Sequence, residues 1–70
     1  MRTVIISEEP IELYKLLKFE SLVSSGGEAK HVIADGLVWL NGMPETQKRK
    51  KIVSGDVVAF GDEKIVVQLK

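Results

Sequence analysis

The sequence predicts an α+β fold in which two short helices pack on a small, mostly antiparallel β-sheet. Apolar residues recur at helical spacing twice in the first half of the chain, over residues 11–19 and again over 25–35. From Leu37 onward that period gives way to short β-branched runs separated by glycine-containing turns. Seventy residues, 44% of them hydrophobic, supply one core and no second, so residues 1–70 are expected to form a single domain.

The elements follow in order. Thr3-Val4-Ile5-Ile6 is β-branched and bounded by polar residues, which predicts a strand. Pro10 suits the first turn of a helix, with Glu8 and Glu9 at its positive end. Over residues 11–19, Leu13, Leu16 and Leu17 form one buried stripe, and Lys15 and Lys18 lie on the opposite face. Ser25-Gly26-Gly27-Glu28 has the form of a capping box, which puts Ser25 at the N-cap of a second helix of about nine or ten residues. Ala29, Val32 and Ile33 are its buried face, and Gly36 is its left-handed stop.

Leu37-Val38-Trp39-Leu40 reads as a strand and Asn41-Gly42 as a turn, in which Asn41 accepts a left-handed backbone. Met43-Pro44 is expected to prevent regular continuation. After Lys48-Arg49-Lys50-Lys51, strands are expected at Ile52-Val53, at Val57-Val58-Ala59-Phe60, and at Ile65-Val66-Val67 with Leu69. Turns separate them at Ser54-Gly55-Asp56 and Gly61-Asp62-Glu63, with Asp56 fixing the first.

Composition excludes several function classes. There is no cysteine, hence no disulfide and no thiolate metal site. No P-loop, dinucleotide fingerprint, zinc spacing or nucleophile elbow is present, and His31 has no paired carboxylate or nucleophile at telling spacing. The expectation is a protein that is no enzyme and uses no cofactor or metal. The apolar N-terminal run is too short for a signal peptide or membrane span, so a cytoplasmic protein with no membrane contact is expected.

Ten basic residues balance ten acidic ones. Residues 1–35 carry four basic and six acidic side chains and residues 36–70 six and four, so the halves are −2 and +2. Any nucleic-acid site must therefore be a local patch. The outer face of the second helix offers Gly27, Lys30, His31 and Ala34, and the glycines of its first turn would allow close approach of phosphate to free amides, or form a simple flexible turn. The run 48–51 is the densest charge in the chain, either a phosphate-binding loop or a solvated one. Tyr14 and Trp39 could stack on bases, but Trp39 in an apolar strand is expected in the core.

Taken as an ordered set, these residues resemble the RNA-binding domain of ribosomal small-subunit protein four, the alpha-L motif. The matching positions are Leu13, Lys15, Ser25, Ala29-Lys30, Val32-Ile33, Gly36, Val38, Leu40-Asn41-Gly42 and Gly55-Asp56. The motif core spans about 11–60, roughly two-thirds of the chain. Gly26 stands where the family often has arginine. The Ser-Gly-Gly-x-Ala-Lys form, the short length and the basic run are more similar to small stand-alone bacterial members of the YbcJ-like or YaaA-like kind.

The resemblance implies a module for structured RNA, ribosomal or tRNA-like, held by the second helix and the 48–51 loop; a monomer is expected. The candidate RNA-binding residues are Lys15, Lys18, Ser25, Gly26, Gly27, Lys30, His31, Asn41, Lys48, Arg49 and Lys50. The alternative is a non-catalytic adaptor that keeps the fold, has lost RNA binding and takes a protein partner. A ubiquitin-like sulfur carrier is not expected, because the sequence runs Val67-Gln68-Leu69-Lys70 and lacks a reactive C-terminal Gly-Gly.

Overall fold

The computed structural model describes residues 1–70. Strands β1 (Arg2–Ile6) and β2 (Ile11–Glu12) precede helices α1 (Leu13–Phe19) and α2 (Gly26–Ala34). Five strands follow: β3 (Val38–Leu40), β4 (Met43–Pro44), β5 (Lys51–Ile52), β6 (Val57–Phe60) and β7 (Glu63–Leu69). A five-stranded sheet has the order β1-β7-β6-β3-β4, while β2 and β5 form a separate antiparallel ribbon. Every pairing is antiparallel except β1 with β7. The expected fold class is borne out.

The core lies between the helices and one face of the sheet. Leu13, Leu16 and Leu17 of α1 and Ala29, Val32 and Ile33 of α2 are buried, as their spacing predicts. Against them stand Val4 and Ile6 of β1, Val38 of β3, Val58 of β6, and Ile65 and Val67 of β7. These strand residues alternate with outward ones, so one face is sealed and the other carries no helix. No polar side chain is buried.

Three sequence expectations are corrected. Pro10 does not open the first helix. Ile11 and Glu12 pair instead with Ile52 and Lys51, and α1 begins only at Leu13. Glu9 reaches across to accept a hydrogen bond from the Ser54 amide at 2.8 Å. Secondly, Met43 and Pro44 do continue the sheet, as the edge strand β4, where a residue without an N–H is tolerated.

Trp39, thirdly, is not in the core: it is 45% exposed, while Val38 beside it is fully buried. Alternation along β3 gives the inward place to Val38 and turns the indole to the uncovered face.

The hairpin between β3 and β4 is closed by Asn41 and Gly42 at φ 52° and 85°, with Leu40 paired to Met43. A two-residue turn with both central residues left-handed matches the twist of the strands it joins. No helix is long and apolar enough to cross a membrane.

Leu17 is fully buried where α1 meets the rest of the core. Leu17→Ala should cost about 2–5 kcal/mol, a large share of a small domain's stability. It should be seen as a fall in the urea midpoint at unchanged m-value.

Candidate nucleic-acid interface

The basic loop is held against α1 by its backbone. Glu12, the N-cap of α1, makes no side-chain capping bond. The Leu13 amide donates instead to the Lys50 carbonyl at 2.9 Å and the Tyr14 amide to the Lys48 carbonyl at 3.0 Å. Donors that a helix start leaves open are thus satisfied by a loop more than thirty residues away. The β2–β5 ribbon continues the junction.

Tyr14 lies at its centre. The Lys30 ammonium from α2 stands 4.9 Å from the centroid of its ring, and that of Lys15 stands 5.9 Å away. Cations held over an aromatic face at an exposed site gain about 0.5–1 kcal/mol, enough to orient long side chains without neutralising them. Lys18 lies one turn beyond Tyr14 on α1 and is exposed. Lys15 pairs with Glu12 at 3.4 Å, whereas Lys18, Lys30, Lys48, Arg49 and Lys50 make no ion pair.

Lys15, Lys30 and the 48–50 loop are therefore brought together at Tyr14, a convergence that depends on how α1 crosses α2. Tyr14, read from sequence only as a residue that could stack on bases, is not among the candidate RNA-binding residues. Its place beside Lys15 in an otherwise basic-and-apolar helix was the available signal.

The start of α2 is built as the capping box predicts, with one difference. The Ser25 hydroxyl accepts from the Glu28 amide at 3.1 Å. The Glu28 carboxylate reaches back not to Ser25 but to Ser24, whose amide and hydroxyl both donate to it at 2.7 Å. The Ser24 amide, and then the Ser24 hydroxyl, hold the carboxyl of Glu28 below its ordinary value of 4.5. Neither Gly26 nor Gly27 is required by packing, since a Cβ at either would meet nothing closer than 3.9 Å. The two glycines leave the helix end bare, but a charged Glu28 stands next to it.

His31 and Asn41 are drawn into the protein's own contacts. His31 Nε2 lies 3.2 Å from the Asp35 carboxylate one turn on, which corrects the expectation that it has no paired carboxylate. The Asn41 side chain donates to Asp56 at 3.1 Å and accepts from the Val57 amide at 2.8 Å, while Asp56 also accepts from the Val53 amide at 2.9 Å. Asn41 thus pins the β3–β4 hairpin to the turn before β6, and Asp56 fixes that turn as expected.

Two helices on a mostly antiparallel sheet, with a basic loop docked on the first helix, define a small α+β domain of the alpha-L type. The chain belongs to the S4 domain family, which it matches over residues 4–68. It is 43% identical over 68 residues to YbcJ of Escherichia coli K12, covering 96% of this chain and 97% of that one. The solution structure of YbcJ, described as revealing a motif of this type involved in RNA binding, matches with a TM-score of 0.73 at 42% identity. That match covers 97% of this chain and 87% of YbcJ. Over 64 residues the chain is also 34% identical to the "Probable ribosome maturation protein RlbA" of Bacillus subtilis 168, covering 87% and 90% of the two. The resemblance read from the residues is borne out.

Two predictions concern the α2 cap. Ser25→Ala should cost about 1 kcal/mol in urea denaturation. Because folding lowers the Glu28 pKa, its contribution is present above the unfolded value and is lost as pH falls through the folded one. Glu28→Gln should therefore flatten the decline in stability between neutral pH and pH 3, measured as urea midpoints across that range.

Proposed function

We propose that this chain is a binding module for structured RNA and that it engages RNA through the helix pair and the 48–51 loop. The observation that carries the reading is the convergence of Lys30, Lys15 and the backbone-anchored loop on Tyr14. Cations held on three separate segments, all but Lys15 without an ion pair, make a surface that a folded phosphate backbone can bridge. The description of YbcJ supports the RNA reading, and the name of RlbA favours ribosomal RNA over a tRNA-like partner.

In this reading Lys15, Lys18, Lys30, Lys48, Arg49 and Lys50 position phosphates, and shape supplies much of the selectivity. Ser25, Gly26 and Gly27 let the RNA come close to the start of α2, and His31 offers a polar contact at its edge. Asn41 acts indirectly, by holding the turn that precedes β6. The module works as a monomer in the cytoplasm and performs no chemistry on the RNA.

Neutralising four to six phosphates should make affinity fall by roughly a hundredfold or more between 50 and 200 mM salt. Lys30→Glu and Arg49→Glu should each weaken binding and reduce the salt slope by about one, with folding intact by circular dichroism. The measurement is fluorescence anisotropy on a labelled rRNA hairpin, with duplex DNA as control. Unchanged affinity in the double variant would remove this surface from consideration. A shallow salt slope would instead favour the adaptor reading, whose interface core is apolar.

A further inference from the structure

The sheet face turned away from the helices holds the chain's single tryptophan. Trp39 is in register with Pro44 on one side and Ala59 on the other, and Ala59 is in register with Lys64. Neighbouring strands lie about 4.8 Å apart, so the indole and the Lys64 stem stand roughly 9.6 Å apart at their backbones. Only the methyl group of Ala59 lies between them. A planar ring seated between two walls needs two van der Waals contacts of about 3.5–4.0 Å, roughly 7–8 Å in all, so that spacing gives a slot that admits one ring.

The slot is part of a groove of about 480 Å³, lined also by Val57 and by the turn glycines Gly42 and Gly61. No carboxylate lines it, and Lys64 makes no ion pair. The groove between β1 and α1 has the opposite character, since Glu8, Glu9, Glu12 and Glu20 line it against the single cation Lys15.

We infer that the uncovered face carries a second RNA contact. One unpaired base of a single-stranded segment lies between the Trp39 indole and the Lys64 stem, and the Lys64 ammonium meets the adjoining phosphate. This inference rests on the RNA reading of the helical surface and adds to it a site on the opposite face, with a different class of RNA structure as its ligand. The composition of the groove favours a base over a protein side. Protein interfaces gather several large apolar residues at a desolvated centre. Here the indole is the only large one, its neighbours are alanine, valine and glycine, and the far wall is a cation. An aromatic ring on an open sheet face is, conversely, a platform for any base, because every base has a π-face.

Trp39 is its own reporter. An unlabelled eight-nucleotide oligoadenylate should quench tryptophan emission saturably in the wild-type protein and in the Lys30→Glu variant. Anisotropy of the same octamer carrying a dye should show Trp39→Leu weakening binding roughly fivefold to a hundredfold. Trp39→Phe, which keeps a flat ring, should retain more affinity than Trp39→Leu, and Lys64→Gln should lose several-fold. The rRNA hairpin is titrated in parallel. Hairpin binding with unmoved tryptophan emission, and equal octamer affinity in Trp39→Leu, overturns the second site and leaves the first standing. Failure of both RNAs to bind overturns both. An emission shift that follows protein concentration without RNA also overturns the inference, because the face then joins two copies of the chain.

Discussion

The docking of the 48–50 backbone on the first turn of α1 is the constraint from which the charged surface follows. A seven-residue helix whose N-cap, Glu12, makes no side-chain capping bond has open amides, and burying or solvating them decides where the next segment can lie. The carbonyls of Lys48 and Lys50 take two of them. Beneath the junction, Leu13 and Ile52 are both fully buried. Local hydrogen bonding, core packing and placement of positive charge therefore coincide at one short ribbon. If the ribbon is loosened, the basic loop loses its relation to Lys15 and Lys30 while the net charge stays zero.

Zero net charge also conceals a partition. Side chains at Tyr14 and on the loop are cationic, whereas the groove beside β1 is lined by four glutamates, two of them engaged with Lys15 and Arg2. A polyanion approaching such a body is attracted on one side and repelled on the other, so the charge distribution orients it before contact. Screening confines this effect to about 8–10 Å at physiological ionic strength. That is a sizeable fraction of a body whose shortest extent is 18 Å.

Much of the fold was legible in the sequence because it is written locally. The α2 helix shows its cap, its buried stripe and its stop within the twelve residues from Ser25 to Gly36, and the Asn41-Gly42 hairpin is a two-residue signal with one structural meaning. The β2–β5 ribbon was not legible: strands of two residues have no period to detect, and Ile11 fits a helical stripe as well as a strand. Trp39 was misplaced because large aromatic character outweighed alternation, although Val38 and Leu40 already occupied the inward positions. As for the candidate surface, the lysines were visible one by one. Their meeting at Tyr14 was not, since it depends on the crossing of α1 and α2 and on a hydrogen-bonded junction with no sequence signature. Asn41 was legible as a turn residue, but the occupation of its side chain by Asp56 and Val57 depends on the turn before β6.

The parallel pairing of β1 with β7 joins the first strand of the chain to the last, with Arg2 opposite Ile65 and Ile6 opposite Leu69. Closing so long a loop is an entropic cost that the local contacts of α1 with α2 do not incur. During synthesis β1 is made first and has no partner until β7 has been made. Until then Val4 and Ile6 remain without the strand that covers their edge, and a short apolar strand in that state can pair with another chain. The β1–β7 ladder is thus the step that ends the vulnerable period of folding, and its completion waits on residues made long after β1, since Arg2 pairs with Ile65.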